Sequence, residues 1–168
     1  MITAFGVHPI TKEGMKEGVI FGLTSSVQKV DKSIEGAKVT EIALTGQNSW
    51  AEKKVGLIFG NDPQAALESE DLKGPVSVAA TYQKALDDLQ QEASSGEDKS
   101  DRESRVVVFG NADFVNNASI RQLFNQDFFL NSLQWVIGDE AGVSIRSGSM
   151  RASTKGITDQ QFFMMLLF

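Results

Sequence analysis

The chain has 168 residues, with 16 basic and 22 acidic side chains and no cysteine. That length suits one compact domain, or a fragment of something larger, with a core that needs no disulfide staples. The missing thiols exclude thiolate metal sites and cysteine nucleophiles, and a net charge of −6 argues against electrostatic binding of nucleic acid. Met1 opens no signal-peptide pattern. No segment reaches the roughly 20 apolar residues of a membrane span, so the stretch reads as soluble unless sequence is missing at its ends.

Taken in chain order, the first eleven residues show neither a helix nor a strand period. Residues 18–27 (GVIFGLTSSV) read as β-rich. Residues 37–46 are clearer: Val39, Glu41, Ala43 and Thr45 alternate against Thr40, Ile42 and Leu44, as in a strand. A loop follows at 46–49, then Trp50. Residues 60–74 form a polar connection with room for one helical turn. The stretch 74–83 (GPVSVAATYQ) opens with a turn signal and continues as a strand.

Residues 84–104 are acidic, rich in Ser, and carry Leu86 and Leu89 as their large apolar groups. Such a segment buries too little surface to offset its ordering entropy. It reads as a mobile loop between strands, with docking as the sharper alternative. The continuous apolar run Val106, Val107, Val108 and Phe109 then reads as a strand buried on both faces, as in a parallel sheet. It ends at Gly110, Asn111, Ala112 and Asp113, where sites usually sit in open α/β sheets.

Residues 125–140 read as a helix, with Asn125 as N-cap, Asp127 in the first turn and Gly138 at the C-terminal cap. Its apolar residues, Trp135 and Phe128 among them, cover well over half the wheel, so it packs on more than one neighbour. Asp127, Asn131 and Gln134 form the polar strip. A short strand is expected at 143–146. At the end, Thr158 and Gln161 have capping-box spacing, flanked by the staple residues Ile157 and Phe162. A helix therefore starts near Thr158 and is apolar on every face from Phe162 to Phe168.

Candidate chemistry is sparse. A Ser-His-Asp triad would need His8, the one histidine, but no G-x-S-x-G elbow supplies a serine. The simpler reading is a loop histidine beside a turn. Asp113 could bind a metal or act as a base, yet no second acid or histidine lies at ligand spacing. The simpler reading has Asn111 and Asp113 bonding the backbone of the strand-to-helix turn. The turn could also hold an anion on its N–H groups, but it lacks both phosphate-loop patterns and Gly110 reads as a turn glycine. Trp135 reads as core; Trp50 is the better candidate for a surface contact, with core favoured. No constellation adds up to an active site, and no cofactor or metal is implied.

The order of blocks in RVVVFGNADFVNN and NQDFFLNSLQWVIGDEAGVSIR, residues 105–146, is specific. It runs strand, G-[DN]-x-D-F, an Asn-containing turn, N-x-D-x-F-L-N-x-x-x-W-[LV]-x-x-[DE], then a short I-R strand. It resembles the C-terminal part of the extracytoplasmic region of GldG-like proteins, the auxiliary components of ABC-2-type transporters first associated with gliding motility. HPIT at His8–Thr11 and NSWAE at Asn48–Glu52 resemble the family's preceding blocks, in the right order. Where the family has G-D-S-D-F, Asn111 and Ala112 replace the first acid and the serine. That substitution weakens any metal or acid–base role for the turn.

The resemblance implies a periplasmic α/β domain related to glutamine-amidotransferase-like (flavodoxin-like) folds, without their catalytic residues. The expectation is a mixed or mostly parallel sheet with packed helices, incomplete in this chain. Residues 1–156 would form the domain and 157–168 the start of a membrane helix, truncated about a third of the way through its span. The implied partners are an ABC permease and its ATPase, and the implied role is non-enzymatic binding and scaffolding. The motif positions Gly110, Asn111, Asp113, Phe114, Asn117, Asn125 and Asn131 are expected to shape turns and caps, with possible binding at the strand end. The rival readings are a glycan- or small-molecule-binding module that uses this turn, and a degenerate hydrolase.

Overall fold

The computed structural model describes residues 1–11, 15, 18–32, 34–60, 66–86 and 103–139. Most of the acidic segment, the strand expected at 143–146 and the apolar C-terminal helix lie outside the described residues. In chain order the elements are β1 (Ala4–Phe5), a 3₁₀ turn (Pro9–Thr11), β2 (Ala37–Leu44), β3 (Trp50–Ala51) and α1 (Gly56–Phe59). Then come β4 (Leu72–Lys73), β5 (Ser77–Ala85), β6 (Glu103–Phe109), a second 3₁₀ turn (Asp113–Val115) and α2 (Asn125–Val136). No described helix is long and apolar enough to cross a membrane.

The main sheet has the order β1-β2-β5-β6, and β3 pairs with β4 in a separate ribbon. Among the described residues every pairing is antiparallel. This overturns the expected mixed or mostly parallel, amidotransferase-like or flavodoxin-like sheet. The register of β5 on β6, from Ala79↔Phe109 to Ala85↔Glu103, means the chain re-enters the sheet at the end where it left. A parallel neighbour requires a crossover layer, usually a helix, laid across the sheet. With Ala85 opposite Glu103, β5 and β6 pair without one.

The valine run misled for a related reason. In β6, Val107 and Phe109 pack on the core side, whereas Val106 and Val108 are 45% and 47% exposed. A continuous apolar run is also what a strand shows when one of its faces is covered and the other is not. In β2 the alternation breaks at a bulge between Glu41 and Leu44. Ile42 and Ala43 are consequently both fully buried.

Among the described residues one layer covers the sheet: α2, running back along β6, with the two 3₁₀ turns beside it. The buried residues of α2 are Asn125, Phe128, Asn131, Ser132 and Trp135, a single stripe at helical spacing. Phe128 is the hub of an aromatic cluster, with ring centroids 5.6 Å from Phe109, 6.1 Å from Phe114, and 6.3 Å from both Phe5 and Phe21. The helix closes on Gly138 at φ 83. There the Gly138 N–H donates to Trp135 O and the Asp139 N–H to Gln134 O, a Schellman pair that satisfies the last carbonyls. Arg105 adds a donor from β6: its Nη1 reaches Trp135 O at 2.8 Å and its guanidinium lies 5.2 Å from the indole centroid.

Two buried polar side chains join distant segments. Asn125, expected as the N-cap, lies one residue inside the helix and is fully buried. Its Oδ1 accepts the Ile20 N–H at 2.7 Å. Its Nδ2 faces the carbonyls of Ile20, Phe114 and Ser119 at 3.2, 3.1 and 3.0 Å. Asn131, assigned from the wheel to the polar strip, is buried and donates to Ile10 O at 3.1 Å.

His8 lies just before the first 3₁₀ turn, and it is buried. It is 7% exposed, edge-on to Trp135 at 4.8 Å. Nδ1 accepts the Ile10 N–H, which leaves the ring proton on Nε2, facing Thr81 Oγ1 at 3.3 Å. Burial, then the charges of Lys38 and Arg105, push its pKa down to about 4. Protonating Nδ1 would also set two N–H donors against each other.

Two predictions follow from these joints. Asn125→Ala should cost about 3 kcal/mol in urea unfolding, because a buried N–H and three carbonyls lose a partner, whereas the exposed Asn117→Ala should stay within about 0.5 kcal/mol. For His8 the folded pKa lies below the unfolded one, so stability is complete above about pH 6.5 and falls as pH drops toward 4. The wild type should therefore lose up to about 1.4 kcal/mol per pH unit more than His8→Gln across that window, read from urea midpoints.

Candidate functional site

The strand-end turn is built by its own side chains. Gly110 donates its N–H to Val78 O at 2.8 Å and accepts the Ser25 N–H at 3.0 Å. A Cβ at Gly110 would lie 1.9 Å from Ser25 O, so only glycine permits this approach. Asn111 Nδ2 donates to Leu23 O and reaches Asp113 Oδ2 at 3.3 Å, while its Oδ1 accepts the Asp113 N–H. Asp113 is exposed and opens the second 3₁₀ turn. Phe114, 1% exposed, plugs the core behind it. Asn116 then accepts the N–H groups of Ala118 and Ser119, both at 2.9 Å. Asn117 is exposed beside it.

The turn thus holds residues 22–26, a strap that Val27 continues by donating to Ser77 O at 2.8 Å. The strap forms one wall of an open groove of about 600 Å³. The other wall comes from Trp50, Ala51, Glu52, Val55, Ile58 and Phe59. Trp50 is 36% exposed and Phe59 64% exposed. Glu52 is held in place: Oε1 accepts the Lys54 N–H at 2.9 Å and Oε2 faces Trp50 Nε1 at 3.4 Å.

Beneath this wall, the NSWAE block orders the loop before β3. Ser49 Oγ lies 2.5 Å from Thr45 Oγ1 and donates to Gly46 O, and Thr45 Oγ1 accepts the Val76 N–H at 2.8 Å. Gly74 fits against this loop because a Cβ would meet Ser49 Oγ at 2.5 Å. Asp71 secures the far side by accepting the N–H groups of Glu68 and Lys53 at 2.8 and 3.1 Å. Those bonds hold its carboxyl below the usual carboxylate range. Lys54 pairs with Glu68 at 2.5 Å.

The groove's described walls carry one carboxylate and no histidine, and both nitrogens of His8 are engaged elsewhere. Among the described residues no group of His, Asp and Glu could hold a metal. Of the motif positions, the structure gathers Gly110, Asn111 and Asp113 behind the strap. Asn125 and Phe114 lie deeper in the core, and Asn131 lies under the Pro9–Thr11 turn. The strap escaped sequence reading, because residues 22–26 carry no motif and share a groove with Trp50 only in space, and Glu52 figures in that reading only as the end of the NSWAE block.

Gly110→Ala should push the strap off the strand end. Hydrogen exchange of the Ser25 amide should rise by at least about tenfold, a factor equivalent to about 1.4 kcal/mol of local opening.

Residues 1–133 match the family model described as ABC-type uncharacterized transport system. No curated protein and no solved structure matches the chain. The matched span begins before β1 and ends within α2, so it takes in both walls of the groove, the strand-end turn and the Asn125 joint. The chain belongs to this family of auxiliary, non-catalytic components of ABC-type transport systems.

Proposed function

We propose that this chain is an extracytoplasmic scaffolding domain of an ABC-2-type transport system, binding a partner or cargo while ATP hydrolysis occurs on a separate subunit. The observation that carries the reading is the family match over residues 1–133. The site geometry supports it. The residues that most resemble an acid–base constellation, Asn111 and Asp113, bond each other and the strap. The resemblance to GldG-like proteins supports the finer parts: periplasmic placement, a membrane helix beginning in residues 157–168, and a permease and ATPase as partners.

The test is retrieval from native membranes. The tagged full-length protein, solubilised in mild detergent, should bring down a permease and an ATPase encoded beside it. The ATPase should retain its ATP turnover in preparations lacking this chain. Recovery of neither subunit, or ATP turnover by this chain alone, would overturn the reading.

A further inference from the structure

We propose that the groove between the strap and Trp50 binds a neutral oligosaccharide. A sugar ring presents apolar C–H faces and a rim of hydroxyls. Its site therefore needs an aromatic or aliphatic wall beside fixed hydrogen-bonding groups. The groove has both. Trp50 and Phe59 supply half-exposed aromatic surface on one side, and Thr24, Ser25 and Ser26 line the other. Glu52 lies on the Trp50 side, with its carboxylate already oriented by the Lys54 N–H and the Trp50 indole. A carboxylate offers about four lone-pair sites, so these two bonds and the contact with the Asp71 carboxyl leave room to accept a sugar hydroxyl.

Charge narrows the class. Among the described residues no lysine or arginine lines the groove, so there a phosphate or carboxylate ligand would meet Glu52 without a compensating cation. A purely apolar peptide would bury that carboxylate and the strap hydroxyls without partners. The volume, about 600 Å³, lies within the roughly 300–1,000 Å³ of small-molecule sites. The groove's wall is held by the turn at Gly110 and Asn111, which ties the family's motif to the site without placing the motif in contact with ligand. The inference does not depend on association with a transporter, so either can fail alone.

The experiment is isothermal titration of the chain with cellotriose, chitotriose and maltotriose, and with choline as a cationic probe. Saturable binding of at least one sugar is expected. Glu52→Gln and Trp50→Ala should each weaken it by at least about tenfold, with Trp50→Phe intermediate and all three melting like the wild type. If Trp50→Ala melts early, Glu52→Gln and Trp50→Phe decide. No saturable sugar binding, binding of choline alone, or sugar binding unchanged in both Glu52→Gln and Trp50→Phe would overturn the proposal.

Discussion

The carboxamide of Asn125 sits where three parts of the chain meet: the segment after Gly18, the strand-end turn and the first turn of α2. Each of these parts has backbone groups that the sheet ladder leaves unpaired. One buried side chain with both a donor and an acceptor end satisfies them together. The Phe21, Phe114 and Phe128 rings then close around the joint. The strap at 22–26 leaves this joint in a defined direction, and the groove wall follows from it. An apolar residue at 125 could fill the space but would leave the Ile20 N–H and the carbonyls unpaired, which is the costlier error.

A second clasp works at the other end of α2. His8 spans the first 3₁₀ turn, β5 and the indole of Trp135, and Arg105 reaches the same indole and its carbonyl from β6. The helix is thus fastened at its start by an amide and near its end by an imidazole and a guanidinium. Phe128 and its ring partners fill the distance between. This explains how one helix holds a sheet whose other face carries exposed Val106 and Val108.

The motif that identifies the family is largely internal plumbing. Gly110 is a contact glycine, Asn111 bonds both the turn and the strap, and Asn125 and Asn131 bond backbone carbonyls. Sequence reading assigns these positions to turns and caps; Asn111 does bond its own turn, whereas Asn125 and Asn131 lie inside α2 and bond backbone of distant segments. Which backbone they bond was not legible, since Ile20, Leu23 and Ile10 are about ninety residues or more away along the chain. The groove was less legible still. Trp50 stood out as a bulky aromatic beside polar residues, but its opposite wall is a stretch of glycine, serine and threonine that carries no periodic signal.

Local chemistry by itself determined the strand at 37–44, the strand after Gly74, the helix beginning at Asn125, its closure on Gly138 and the G-N-x-D-F turn. Each of these rests on side-chain spacing or on a backbone angle that few residues adopt. Only the tertiary structure decided that the described strands run antiparallel, that the valine strand has one covered face, that His8 is buried, and that residues 22–26 line a groove with Trp50. The physical reason is shared. Strand direction and burial depend on what lies alongside, and an apolar run or a lone histidine looks the same in sequence whether its neighbour is a helix, another strand or water.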